Sequence, residues 1–138
     1  MDKKTLQSYK AMELELEQLT ELIERVDARM YDAKTTKVTL TPKGGGFSGD
    51  AVSANLALLE SLRALYNRRW DALIAARTEI ETAIDCLSPT ERLLMRYRYI
   101  EGLGWEKVAQ KLHYSRRHTT RIHGEILQKI AQKEEKEG

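Results

Sequence analysis

Residues 105–130 read WEKVAQKLHYSRRHTTRIHGEILQKI, and the fold turns on how this run is divided. Val108, Ala109 and Leu112 fall on one face of a short helix from Trp105 to Leu112. His113, Tyr114 and Ser115 interrupt it, and serine is a preferred N-cap because its hydroxyl accepts from the free backbone N–H groups of the next helix. Beyond Ser115 the inward face predicted is Thr119, Ile122, Ile126 and Ile130, with Leu127 flanking. A short helix, a three-residue turn and a longer capped helix form a helix-turn-helix pattern, and Ala109 is small enough for the two helices to cross closely.

Upstream, SPTERLLMRYRYIEG (88–102) opens with a serine cap, a proline at the first helical position and an acid at the third. Leu93, Leu94, Tyr97 and Ile100 supply its apolar face, Gly102 stops it, and Trp105 anchors a small three-helix core. In the alternating Arg96, Tyr97, Arg98 and Tyr99, helical geometry turns Tyr97 inward and Arg96 and Tyr99 outward. That favours packing plus a phosphate contact over base stacking on a single strand.

The first part of the chain is simpler. Tyr9, Met12, Leu16, Leu19, Ile23, Val26 and Met30 recur in steps of three and four, a heptad seam on a helix from about Lys4 to Ala33. Residues 35–50, with Pro42 and four glycines, read as a flexible loop. Its Gly44-x-Gly46-x-x-Gly49 matches a dinucleotide fingerprint in form, but no strand precedes it. Helix resumes at an N-cap of Asp50, with Ser53 as its rival. Its seam runs through Val52, Leu56, Leu59, Leu62, Tyr66, Trp70, Leu73, Ile80, Ile84 and Leu87, with Arg77 in one seam place. The fold expected is all-α: a long antiparallel, coiled-coil-like helical hairpin over 1–87, a helix-turn-helix domain over 88–132, and a charged tail over 133–138. The hairpin seams could equally pair between chains, which makes a homo-oligomer an expected alternative.

Charge is distributed unevenly. Residues 1–88 hold 12 basic against 14 acidic side chains, whereas 89–138 hold 11 against 7, and no acid occurs from Lys107 to Gly124. The second helix of a helix-turn-helix offers its first turns to the major groove, and here those turns carry Arg116, Arg117, Thr120 and Arg121. Arginine serves both guanine edges and phosphates. A lone basic triplet is more often solvated surface, but its place at a capped recognition helix points to double-stranded DNA. Base contacts are therefore expected at Arg116, Arg117, Thr120 and Arg121, and phosphate contacts at Arg92, Arg96, Lys107, Lys111, Ser115, His118, His123 and Lys129.

The run LSPTERLLMRYRYIEGLGWEKVAQKLHYSRRHTTRIHGEILQKI (87–130) resembles region 4 of bacterial sigma factors, in its glycine-ended first helix, its W-E-x-V-A helix and its serine-capped recognition helix. The whole chain resembles the small phage and prophage proteins related to the RinA and ArpU late-gene activators. The supporting residues there are Tyr114, Ser115, Arg117, Arg121 and His123. That resemblance implies a regulator of phage transcription that binds DNA and has RNA polymerase as a second partner. One departure is Gly104, where the family pattern has a serine or threonine cap.

Other chemistries fit less well. His113, His118 and His123 recur every five residues, which does not bring ligands onto one helix face, so no metal is expected. Cys86 is the only cysteine, excludes an internal disulfide, and has no His–Asp partner near it. No catalytic site and no cofactor are expected. The absence of a long apolar run or signal segment points to the cytoplasm of a bacterial host rather than a membrane. Competing readings are a sigma-like module that binds polymerase or a phage protein without reading bases, and a DNA-packaging small terminase subunit. The latter class usually places its helix-turn-helix before the coiled coil.

Overall fold

The computed structural model describes Met1, residues 3–39 and residues 49–137. Most of the described residues lie in five α-helices: α1 Lys3–Thr39, α2 Gly49–Ile84, α3 Pro89–Met95, α4 Trp105–Leu112 and α5 Arg116–Glu137. The chain divides into two compact units, one formed by Met1–Glu13 with Leu73–Gly138, the other by Leu14–Ala72.

α1 runs to Thr39, six residues past its expected end. Threonine and valine cost a helix only a few tenths of a kcal/mol each, too little to stop one already formed. Pro42, Gly44 and Gly46 lie outside the described residues, as does most of the expected loop. α2 begins at Gly49, so the expected cap Asp50 falls inside its first turn. At the far end α5 continues through Lys133 to Glu137, because the tail's Lys, Gln and Glu are themselves good helix formers.

In the unit Leu14–Ala72 the two helices run antiparallel. Val26 and Met30 on α1 pack with Leu59 on α2, with Ile23 and Leu62 at the edge of the cluster, while Arg69 meets Glu15 at 2.7 Å. The α1 seam is buried at Leu16, Leu19, Val26 and Met30, as its spacing predicts. The α2 seam departs from expectation at Leu56 and Trp70, both 45% exposed. Trp70 stands beside Arg69, which reaches across to Glu15. Its ring stacks on Tyr66 at 6.4 Å instead.

In the other unit the end of α2 is buried at Leu73, Ala76, Ile80 and Ile84, and Leu87 just after it, with Ala76 taking the seam place expected for Arg77. Arg77 lies partly exposed, donating to Glu81 Oε1 at 3.0 Å and to the Tyr9 hydroxyl at 3.4 Å. Ser88 opens α3 with both halves of a capping box: Glu91 N donates to Ser88 Oγ at 3.3 Å and Ser88 N to Glu91 Oε1 at 3.0 Å. α3 and α4 both pack on α5, around Leu94, Met95, Val108, Thr119 and Ile126, all with no exposed surface. Leu93, expected inward, is 42% exposed, and Met95 takes its place.

After Met95 the helix widens. Glu101 N donates to Arg96 O at 2.9 Å, a π-type bond over five residues, and Leu103 N to Tyr97 O at 3.0 Å. One extra residue in the turn rotates Arg96–Ile100 against the register of α3. The expected outward pair is therefore redirected. Arg96 binds Glu81 through Nη2 at 2.6 Å and Nε at 3.1 Å, and the Tyr99 hydroxyl lies 2.6 Å from His123 Nε2. Gly102, at φ 73°, ends this segment in the left-handed region that glycine tolerates.

Candidate nucleic-acid interface

α4 ends at His113, which adopts φ 59° and ψ 38°. Histidine is among the few non-glycine residues that enter this region with some frequency. The turn is closed by His113 N donating to Gln110 O at 3.2 Å and Tyr114 N to Ala109 O at 3.0 Å. Ser115 then caps α5 as expected: His118 N donates to Ser115 Oγ at 3.1 Å. Thr119 fixes the same corner from below, its buried hydroxyl donating to Ser115 O at 2.8 Å. The direction of α5 is thus set by two bonds to one serine and by a core threonine with no exposed surface.

That corner decides which side chains face solvent. Arg116, Arg117, Thr120 and Arg121 are all exposed, whereas Thr119 and Ile126 are buried and Ile122 is partly so. Ser115, Arg117, His118, Thr120 and Arg121 surround one shallow depression on the front of α5. Arg116 stands aside from it and forms a loose surface pair with Glu106 at 3.6 Å, an arrangement that contributes little stability. Arg121 Nη2 lies 2.9 Å from His118 Nδ1, and Tyr114 meets the His118 ring edge-on at 4.8 Å. Tyr114, a residue of the family resemblance, is not expected from the sequence to contact His118.

The residues expected at phosphate divide into two sets. Lys107 is exposed on α4, and the Lys111 ammonium sits 5.4 Å from the Tyr97 ring centroid. Ser115 and His118 join the front of α5. The others are engaged by partners in the same chain. Arg92 Nη1 donates to the carbonyls of Leu87 and Asp85 at 3.2 and 3.5 Å. Arg96 is held by Glu81, and Lys129 Nζ reaches Glu91 Oε2 at 2.7 Å.

His123 is the clearest relocation. Its ring lies edge-on to Trp105 at 4.7 Å and tilted to Tyr99 at 5.7 Å. Burial, then Arg98 and Lys3, hold its pKa below the ordinary histidine range, while burial raises that of Tyr99. The neutral ring then accepts from the protonated phenol. Across the same indole, the Arg98 guanidinium stacks 4.4 Å from the Trp105 centroid and donates to Leu103 O at 3.0 Å. Trp105 is thus a packing anchor, with Arg98 and His123 against it.

Gly104 caps α4 without a side-chain bond, at φ −68° and ψ 158°. The three histidines do not converge: His113 is in the turn, His118 on the front of α5 and His123 beside Trp105. Among the described residues no three His, Cys, Asp or Glu form a group that could hold a metal, and no helix is long and apolar enough to cross a membrane.

Comparison with curated proteins and with solved structures gave no match. The family model Sigma-70, region 4, does match, over residues 83–132, the end of α2 through most of α5. The capped corner, the exposed arginines and this match coincide on one segment, so residues 83–132 form a helix-turn-helix similar to Sigma-70 region 4, a DNA-binding module.

Proposed function

We propose that this protein is a sequence-specific double-stranded DNA-binding regulator of transcription, of the phage or prophage late-gene activator type, acting in the bacterial cytoplasm without catalytic chemistry. The observation that carries the reading is the front of α5, where Arg117, Thr120 and Arg121 surround one depression beside the Ser115 cap. Arginines one helical turn apart at the start of a recognition helix suit the acceptor pair of a guanine in the major groove. Arg116 reads at the edge of the same front. Lys107, Lys111 and Ser115 hold phosphates, His118 stands against Arg121 on the front, and Arg92, Arg96, His123 and Lys129 serve first to fix the domain.

Selection of bound fragments from bacterial and phage genomes tests this directly. A single enriched motif is expected, and the Arg117→Ala/Arg121→Ala double variant should lose it while keeping wild-type helicity and melting. Affinity should fall with salt at a log–log slope of about −0.9 per phosphate contacted. A double variant that binds the motif as tightly as wild type rejects the reading.

A protein partner beside DNA is the second reading, with RNA polymerase in that role or a second copy of the chain. It is favoured by Leu14, Leu22, Leu56, Leu58 and Trp70, all between 39% and 47% exposed on the Leu14–Ala72 unit. Light scattering and polymerase pull-down with the intact chain separate the two partners.

A further inference from the structure

One contact on the front of α5 has no role in the simple picture of independent arginines. The guanidinium of Arg121 meets His118 Nδ1 at 2.9 Å. Guanidinium groups only donate, so Nδ1 must accept, and the neutral ring carries its proton on Nε2. The imidazole is itself constrained from two sides. Its backbone N–H donates to the Ser115 cap, and the Tyr114 ring meets its ring edge-on, with centroids 4.8 Å apart and planes at 74°. Tyr114, His118 and Arg121 therefore form a chain from the turn to the recognition face.

We propose that His118 is a positioning and specificity-determining residue, which holds the Arg121 guanidinium in its reading direction. This rests on the reading of α5 as the base-contacting helix and adds to it a division of labour. An exposed arginine must otherwise lose much of its rotamer freedom when it docks, and a neighbour that fixes it beforehand removes part of that cost. Arg117 has no such neighbour in the chain from Tyr114, and its bond on this face is through its backbone carbonyl, which accepts from Thr120 Oγ1 at 3.0 Å. Arg121, so held, selects an edge with two adjacent acceptors, the pattern of guanine N7 and O6, and Arg117 contributes affinity with less discrimination.

The test uses the full-length chain and its selected DNA motif at pH 8, with every single-base variant of the motif as competitor. His118→Ala should lower discrimination at one base pair by about tenfold, at the same position that Arg121→Ala affects. Binding to random duplex and the salt slope should not change. His118→Phe keeps a ring against Tyr114 but has no acceptor, and should behave like His118→Ala. His118→Asn retains an acceptor at the same distance from the backbone and should recover most of the discrimination. The His118→Ala/Arg121→Ala double variant should be no worse than Arg121→Ala alone, since the two act as one unit. An unchanged specificity profile for His118→Ala, additive losses in the double variant, or no recovery with asparagine overturns the inference while leaving DNA reading intact. A wild-type chain that enriches no motif overturns both.

Discussion

The Leu14–Ala72 unit and the segment from α3 to α5 are both helical, yet they bury side chains to different depths. In the two-helix unit even the best-packed residues keep some exposed surface: 3% at Leu59, 6% at Val26, 8% at Met30. Around α5, Leu94, Met95, Val108, Thr119 and Ile126 keep none. Two helices meet along a line, so every seam residue has an open flank. Three helices crossing at angles enclose points. A domain that must hold an arginine face in fixed geometry needs enclosed points, because only there does packing fix a helix in rotation as well as in position.

The sharpest way to break this comparison is truncation of the two cores. Ile126→Ala or Met95→Ala should cost about 3–4 kcal/mol, since the enclosed site cannot collapse around the cavity, and Met30→Ala about 2 kcal/mol. Urea denaturation of each variant measures both. Equal losses would mean that the seam is as closely packed as the enclosed core.

Ion pairs repeat the contrast on a smaller scale. Arg96 and Glu81 are joined by two bonds with roughly a third of each side chain exposed, whereas Arg69 and Glu15 are about half exposed. Arg96→Ala should cost about 1 kcal/mol and Arg69→Ala well under half of that, after allowance for solvent screening. The first pair also predicts a pH effect. The Arg96 hydrogen bonds, opposed by burial and helped by Arg77, hold the Glu81 carboxyl below its ordinary range. A carboxyl depressed in the folded state stabilises above the ordinary carboxylate range, and that contribution is lost as pH falls through the lowered value. Stability should therefore decline on acidification, and less steeply in Arg96→Ala. Glu91 moves the same way: burial alone would raise it, but Lys129 and the Ser88 backbone outweigh burial.

The corners of the helix-turn-helix sharpen the comparison further, since the enclosed core forces backbone geometry that a two-helix seam does not. His113 sits at φ 59°, so His113→Gly should raise stability by about 0.5–1 kcal/mol. A melting temperature that fails to rise would show that the histidine side chain itself stabilises the turn. The smallest effect is expected at Gly104, where an added Cβ meets nothing within 4 Å. Gly104→Ser supplies the missing cap and should add a few tenths of a kcal/mol, read from the same melts.

Much of this was legible before any coordinates. The α1 seam, the Ser88 capping box, the Ser115 cap and the inward set Thr119, Ile126 and Ile130 follow from local rules, because periodicity and capping act within a few residues. The errors cluster where one residue of phase matters. Trp70 and Leu56 are hydrophobic and near the seam, but helical rotation carries them to its rim. Leu93 gave way to Met95 for the same reason. The π-turn at Arg96–Ile100 has no sequence signature, and it redirected Arg96 to Glu81 and Tyr99 to His123.

For the candidate site, the sequence by itself determined which helix carries the arginines and which of its sides is dry. A serine cap and an apolar period of three to four define a helix axis and its inward face from neighbouring residues alone. Tertiary structure decided which cations are taken up by partners in the same chain, because Glu81, Glu91 and Trp105 engage side chains far away in sequence: Glu81 takes Arg96, Glu91 takes Lys129, and Trp105 packs against His123 and Arg98. It also joined Tyr114, His118 and Arg121 into one chain, since side-chain direction on a recognition helix depends on rotamers that spacing does not specify.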